Sequence, residues 1–264
     1  MPKDSINDIV NYVDLVRINR DTQQAAKKIQ PLNEPERIDR MDKFVPEIEG
    51  NLRRHMVKIP EVIQQVSGIK IFGKLIKSIV FTTDVAIIKN CNANAVIAVY
   101  PFTPQPIITH SIISASDIPV FCGVGGGTTT GKRVVNLAMD AEFQGAIGVV
   151  VNAPTSNDIV VRLREKIDIP VVVTVVSEKT DFKKRLEAGT TIFNVSGGSR
   201  TVAIVQLIRE QYPEVPVIAT GGPTEESILQ TIEAGANAIT YTPPTCGDIF
   251  KRLMNKYRDE ADIV

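Results

Sequence analysis

The feature that most constrains this chain is a series of eight short runs rich in β-branched residues. They are Ser78–Thr83, Ala95–Tyr100, Val120–Val124, Ile147–Asn152, Val171–Ser177, Thr191–Val195, Val217–Thr220 and Ala238–Thr242. Each is nearly continuously apolar, as expected of parallel strands covered on both faces. The stretches between them are long enough for right-handed helical crossovers. Their lead-ins alternate. Asp117-Ile118-Pro119, Asp168-Ile169-Pro170 and Glu214-Val215-Pro216 introduce the third, fifth and seventh runs. Asn94, Gly145-Ala146 and Gly235-Ala236-Asn237 introduce the second, fourth and eighth, and Ala188-Gly189 the sixth. Proline is tolerated where a strand begins because its missing N–H lies outside the ladder. The result is a β-α-β-α unit with a period of about 46 to 51 residues, counted from Asp117 to Asp168 to Glu214. Eight strand–helix pairs with a repeat of two predict a (β/α)8 TIM barrel, whose inner layers draw on alternate strands. An open doubly wound sheet, the rival, has no reason to keep equal units all the way round.

Residues 1–68 read differently, as an N-terminal helical extension to a barrel over 69–264. They are dense in both charges and carry apolar residues at helical spacing, as in Ile9, Val10, Val13 and Val16. Asn33-Glu34-Pro35-Glu36 and Ile59-Pro60 look like helix starts. The mixed charges mark solvated faces, with a dimer contact as the alternative, and a homo-oligomer is expected.

Lysine plus arginine number 30 and aspartate plus glutamate 30, so no basic excess points to nucleic acid or an anionic membrane. The start, MPKDSINDIV, lacks the apolar core of a signal peptide, and no apolar run approaches membrane-spanning length, so a cytoplasmic protein is expected. Three widely spaced cysteines indicate neither a disulfide framework nor a zinc knuckle, and the two histidines are too few for a histidine-rich metal site.

The stretch GVGGGTTTGK, residues 123–132, spells G-x-x-x-x-G-K from Gly126 to Lys132. A P-loop needs serine or threonine next, to hold magnesium, and here Arg133 comes instead. No later strand ends in the aspartate that would complete such a site. The segment is better read as the loop after the third strand, with Gly125 and Gly126 letting backbone approach a ligand.

In a barrel the site lies at the carboxyl ends of the strands. Three loops there suit an anion, because glycine-rich turns aim N–H groups at a phosphate and helix N-termini add a favourable dipole. They carry Gly197 and Gly198, then Gly221 and Gly222, then Thr242 and Thr245. The alternative is that the Gly-Gly pairs only permit tight turns. Asp84 ends the first strand, as a candidate general base or as a cap for the next helix. Glu178 is a candidate acid, and Asn152 and Asn194 end strands where buried amides would need a ligand as partner. Cys122 reads as a small buried hydrophobe, and Cys246 has no histidine to activate it. No lysine lies inside any of the eight runs, which argues against a Schiff-base aldolase. Few carboxylates and no histidine at the strand ends give no metal site and no cofactor to expect.

The residues IREQYPEVPVIATGGPTEESILQTIEAGANAI, 208–239, resemble the closing quarter of the phosphate-binding barrels, a group with the histidine-biosynthesis isomerase and cyclase and the IMP dehydrogenase relatives. The resemblance implies a phosphate held at Gly221, Gly222 and the segment after Tyr241. Where those families place glycine after the eighth strand, this chain has Thr242-Pro243-Pro244, and SGGSRT has no counterpart of the IMP dehydrogenase cysteine loop. FTTDVAIIKNCNANAVIAVYPFTPQP and FCGVGGGTTTGK are also similar to a bacterial β/α-barrel family commonly labelled as hydrolases. The expectation is a metal-independent enzyme acting on a small phosphorylated metabolite by isomerase- or lyase-type proton transfer. The alternatives are a non-catalytic sensor of a phosphorylated ligand and a hydrolase with an unidentified nucleophile.

Overall fold

The computed structural model describes residue 46, residue 48 and residues 56–261. Contacts divide the chain after Met56, earlier than the boundary expected at residue 68. The helices expected over residues 1–55 lie outside the described residues. Residues 57–66 belong with the larger unit: Ile59, Ile63 and Val66 are buried in its main apolar cluster. Pro60 heads a 3-10 turn, Glu61–Gln65, in place of the expected α-helix.

A hairpin comes first, β1 (Ile69–Ile71) and β2 (Lys74–Ile76). Eight strands come after it: β3 (Ser78–Phe81), β4 (Ala95–Ala98), β5 (Val120–Gly125), β6 (Gly148–Val151), β7 (Val171–Val175), β8 (Ile192–Val195), β9 (Val217–Thr220) and β10 (Ala238–Tyr241). They pair in parallel and close on themselves in the order β10-β3-β4-β5-β6-β7-β8-β9. Each falls within or against one of the eight runs, and each is succeeded by a helix. The helices are α1 (Val85–Lys89), α2 (Pro106–Ala115), α3 (Lys132–Phe143), α4 (Asn157–Lys166), α5 (Phe182–Glu187), α6 (Thr201–Gln211), α7 (Glu225–Glu233) and α8 (Cys246–Ala261). This is a (β/α)8 TIM barrel.

Burial on both faces explains why the runs lack polar alternation. Residues of one parity, among them Ile79, Ile97, Phe121, Val172, Ile192 and Ile218, fill the barrel interior. Those of the other parity, such as Val80, Val96, Val149, Val173, Phe193 and Val217, face the helices. The interior is packed by complementary sizes. A Cβ on Gly148 would come 2.8 Å from the Phe121 ring, so the glycine makes room for that side chain. The three prolines that lead into strands keep their carbonyls in the ladder: Pro119, Pro170 and Pro216 accept from Val96, Val149 and Phe193 at 2.8–3.0 Å.

The hairpin has no counterpart in the sequence reading. Its Ile69, Ile71 and Ile76 join the interior cluster, so it closes the end of the barrel where the strands begin. Its two-residue turn uses Phe72 at φ 46° and Gly73 at φ 80°. Nearby, Asn94 Oδ1 accepts from the N–H groups of Lys77 and Ser78 at 3.0 and 3.1 Å, which ties the start of β3 to β4. With that end filled, the open end is the one where the strands finish.

Candidate active site at the barrel mouth

Two residues beyond each interior position, the parity rule defines a ring at the mouth: Phe81, Val99, Gly123, Asn152, Thr174, Asn194, Thr220 and Thr240. Five of the eight positions are polar, Asn152 after β6 and Thr174, Asn194, Thr220 and Thr240 on β7 to β10, and none of the eight is ionisable. Asn194, 9% exposed, donates to the Thr174 hydroxyl at 3.3 Å. The Thr240 hydroxyl is buried without a partner. Asn152 donates its N–H to the Gly125 carbonyl at 3.0 Å, which ties the loop after β6 to the end of β5.

Asp84 is the N-cap of α1, accepting from the N–H groups of Ala86 and Ile87 at 2.9 and 3.4 Å. A hydrogen bond from the Cys246 thiol, with those backbone donors adding to it, holds its carboxyl below the usual range. The same bond, with partial desolvation, raises the thiol of Cys246. Asp84 thus lies beside Cys246 where the β3 and β10 loops meet, and the thiol is kept protonated there. Cys122, inside β5, is pushed up to about 12 by burial and reads as a hydrophobe, as expected. Glu178 lies after β7 and pairs with Arg200 at 3.5 Å, while the same guanidinium donates to the Val176 carbonyl at 3.1 Å. Sequence reasoning missed Arg200; its place beside the Gly197-Gly198 pair in SGGSRT was the available signal.

The three loops expected to take an anion differ. After β8, the Gly197 N–H is taken by Thr201 Oγ1 at 3.1 Å, and a Cβ on Gly198 would meet nothing within 4 Å. This loop leads into α6, which has no side-chain cap and no acidic residue in its first turn. After β9, the Gly221 N–H bonds to the Thr240 carbonyl at 3.3 Å, and Gly222 leads to a Thr224–Ser227 capping box with Glu225 and Glu226 in the first turn of α7. After β10, beyond Thr242, the Thr245 hydroxyl and N–H both donate to Asp248 Oδ2, at 2.6 and 3.1 Å. The starts of α7 and α8 are therefore already occupied by carboxylates.

A cavity of about 220 Å³ opens on the other side of the mouth, over β4, β5 and β6. Gly123, Gly125, Asn152, Thr128 and Thr129 line it together with Val99, Tyr100 and Phe102. Of the expected site residues, the structure brings Gly125 and Asn152 together here. Asp84, Glu178 and Asn194 are spread over the seam and the β7–β8 side. Gly126 lies just outside the cavity, packed against the loop after β6. That loop is clamped by Arg185, whose guanidinium donates to the Ala153 carbonyl at 2.8 Å, to Asn157 Oδ1 at 2.9 Å and to the Thr155 carbonyl. Among the described residues no group of three or more His, Cys, Asp or Glu side chains is placed to hold a metal ion. Among the same residues no helix is long and apolar enough to cross a membrane.

The fold and mouth define the class: a (β/α)8 barrel with an uncharged ring at its open end. No family model and no curated protein matches the chain. Solved structures do. A proposed phosphonomutase from Burkholderia cenocepacia J2315 is 14% identical with a TM-score of 0.53, over 71% of this chain and 93% of that one. A phosphonopyruvate hydrolase complexed with oxalate and magnesium is 12% identical with a TM-score of 0.55, over 72% and 85%. A mandelate oxidase with a monooxide FMN adduct is 15% identical with a TM-score of 0.53, over 68% and 69%. At these identities the likeness shows the shared barrel fold alone.

Proposed function

We propose that this chain is a barrel enzyme acting on a small phosphorylated metabolite, by an isomerase- or lyase-type proton transfer that uses its own side chains and no metal. The observation that carries the reading is the contrast among the three helix starts around β8, β9 and β10. Only α6 begins without a side-chain cap and without a carboxylate in its first turn, and Arg200 stands at its N-cap position. The 3-10 turn Gly198–Arg200 runs into α6, with the Thr201 N–H bonded to the Gly198 carbonyl, so what this start offers is the positive end of the dipole with a guanidinium beside it, which suits a phosphate. The phosphate would sit on Gly197–Arg200, with Gly221, Gly222, Thr242 and Thr245 completing the wall of that sector. Asp84, ionised at neutral pH, is the proposed base, and Glu178 the proposed acid. Asn152 and Asn194 would orient the reacting group.

The test is a thermal-shift series with inorganic phosphate, sulfate and phosphosugars on the wild type and on Gly198→Asp. The substitution sets a carboxylate where the phosphate would lie, at a φ of 62° that aspartate tolerates. Gly221 is unsuited, because a Cβ there would come 2.8 Å from both Ile228 and Ile239. A ligand at 100 times its dissociation constant adds about 2.7 kcal/mol of stability. A shift that Gly198→Asp abolishes supports the reading, and no shift with any phosphorylated compound overturns it. The absence of an ionisable side chain in the mouth ring favours a second reading, a non-catalytic sensor of the same ligand. Binding without turnover of any bound compound would select it.

A further inference from the structure

The cavity over β4 to β6 and the proposed phosphate loop lie on opposite sides of one mouth. In the closed order, β4 stands across from β8 and β5 across from β9. Eight strands about 4.8 Å apart and tilted by about 36° make a ring roughly 15 Å across. From this juxtaposition, and resting on the phosphate reading above, we infer that the substrate is an elongated phosphomonoester. Its end remote from the phosphate is uncharged and about the size of an aromatic ring, and it is seated in the cavity over β4–β6.

Three observations on the cavity support that class. Its volume, about 220 Å³, exceeds the roughly 150 Å³ that holds benzene in an engineered apolar cavity. Its lining has no charged side chain, and Val99, Tyr100, Phe102 and Val150 give it an apolar wall. The Tyr100 ring is held in place because its hydroxyl accepts the N–H of Gln105 at 3.0 Å. Phe102 is 73% exposed at the rim, an aromatic side chain with nothing yet covering it. Among the lining residues is a buried hydroxyl without a partner. Thr129 lines the cavity, is 4% exposed, and its hydroxyl makes no hydrogen bond. Buried hydroxyls are almost always paired, and a turn of the Thr129 side chain toward a seated ligand with one donor or acceptor on its uncharged end would complete this one. A charged end group would be desolvated there with no opposite charge to meet it.

The experiment measures dissociation constants by calorimetry for inorganic phosphate, butyl phosphate, 4-phenylbutyl phosphate and 4-phenylbutanol. The proteins are the wild type, Gly127→Leu and Gly198→Asp. Gly127 lines the cavity, is exposed, and a Cβ on it would meet nothing within 4 Å, so leucine adds bulk at the cavity wall without a clash at its Cβ. In the wild type, 4-phenylbutyl phosphate should bind at least about tenfold more tightly than butyl phosphate, the lower end of what burying an aromatic ring is worth. Gly127→Leu should remove that advantage and leave butyl phosphate unchanged. Gly198→Asp should weaken every phosphate and leave 4-phenylbutanol as it was. A ring that adds less than about twofold, or an advantage that survives Gly127→Leu, overturns the assignment of the cavity. Binding of 4-phenylbutanol with no binding of any phosphate overturns the phosphate reading, and with it the two-ended substrate.

Discussion

Adjacent glycines in GVGGGTTTGK should respond to alanine in opposite ways, and the contrast tests how this loop is built. A Cβ on Gly126 would lie 2.1 Å from Thr155 Oγ1, 2.7 Å from Asn152 N and 2.9 Å from Asn152 O, at a φ of 100°. A Cβ on Gly127 would meet nothing within 4 Å, and its φ is not in the left-handed range. The threonine hydroxyl could rotate away, but the two Asn152 atoms are backbone. Their loop is held by the Arg185 guanidinium through the Ala153 and Thr155 carbonyls. Gly126→Ala therefore combines left-handed strain of about 1–2 kcal/mol with overpacking of about 1–3 kcal/mol. The sum is about 2–5 kcal/mol, or a fall in Tm of about 4–20 °C for a domain of this size. Gly127→Ala should lie within about 0.5 kcal/mol of wild type. Adding Thr155→Ala to Gly126→Ala should recover little, because the backbone contacts remain. Urea unfolding followed by circular dichroism measures all three variants. A Gly126→Ala midpoint equal to that of Gly127→Ala, or full rescue by Thr155→Ala, would refute the close crossing of the two loops.

Asp84→Asn should keep the α1 cap, since asparagine caps as well as aspartate, while abolishing turnover of whatever substrate the phosphate screen identifies. Asp84→Ala should in addition lose about 0.5–2 kcal/mol of stability, and near-normal turnover in Asp84→Asn would remove the residue from the chemistry. Because the Asp84 carboxyl is held below its ordinary 3.8, its contribution to stability is present above that pH and lost as pH falls through the lower folded value. Urea midpoints taken down the acid limb should thus fall less steeply in Asp84→Asn than in wild type. The same variant should lower the Cys246 thiol toward its ordinary range and speed its alkylation by iodoacetamide at about pH 8, read by peptide mass. Cys122 should stay unlabelled in both proteins. Ile76→Ala, at a hairpin side chain only 1% exposed, should cost about 2–5 kcal/mol by thermal unfolding, and a loss below about 1 kcal/mol would mean that the hairpin does not plug the barrel.

The barrel was legible because its periodicity is carried by many residues at once. All eight strands are marked by β-branched runs, and the Pro119, Pro170 and Pro216 lead-ins mark the repeat independently. The hairpin was not legible, because each of its strands is three residues long and its turn is Phe-Gly where Asn-Gly or Asp-Gly is the strong signal. Ile69 and Ile71 alternate, but two positions cannot outweigh the charged segment before them. Strand ends were legible too, so Asn152, Asn194 and Asp84 could be picked from sequence. What could not be read is which groups are already satisfied. That Asp248 occupies Thr245, that Thr201 takes the Gly197 N–H, and that Arg200 pairs with Glu178 are all properties of side-chain geometry. The cavity over β4–β6 depends on loops from three strands and has no sequence pattern of its own.

The seam between β10 and β3 joins Ile239 to Ser78 and Tyr241 to Val80, residues about 160 positions apart. On a ribosome adding about 5–20 residues each second, β3 would wait on the order of 10–30 s before its partner exists. Throughout that interval the nascent sheet shows two open edges, β3 and whichever strand was made last, both apolar on each face. Such edges invite pairing with other chains. Synthesis rate and chaperone supply, rather than final stability, should then set the soluble yield of this protein, and slowing translation before β10 should lower it.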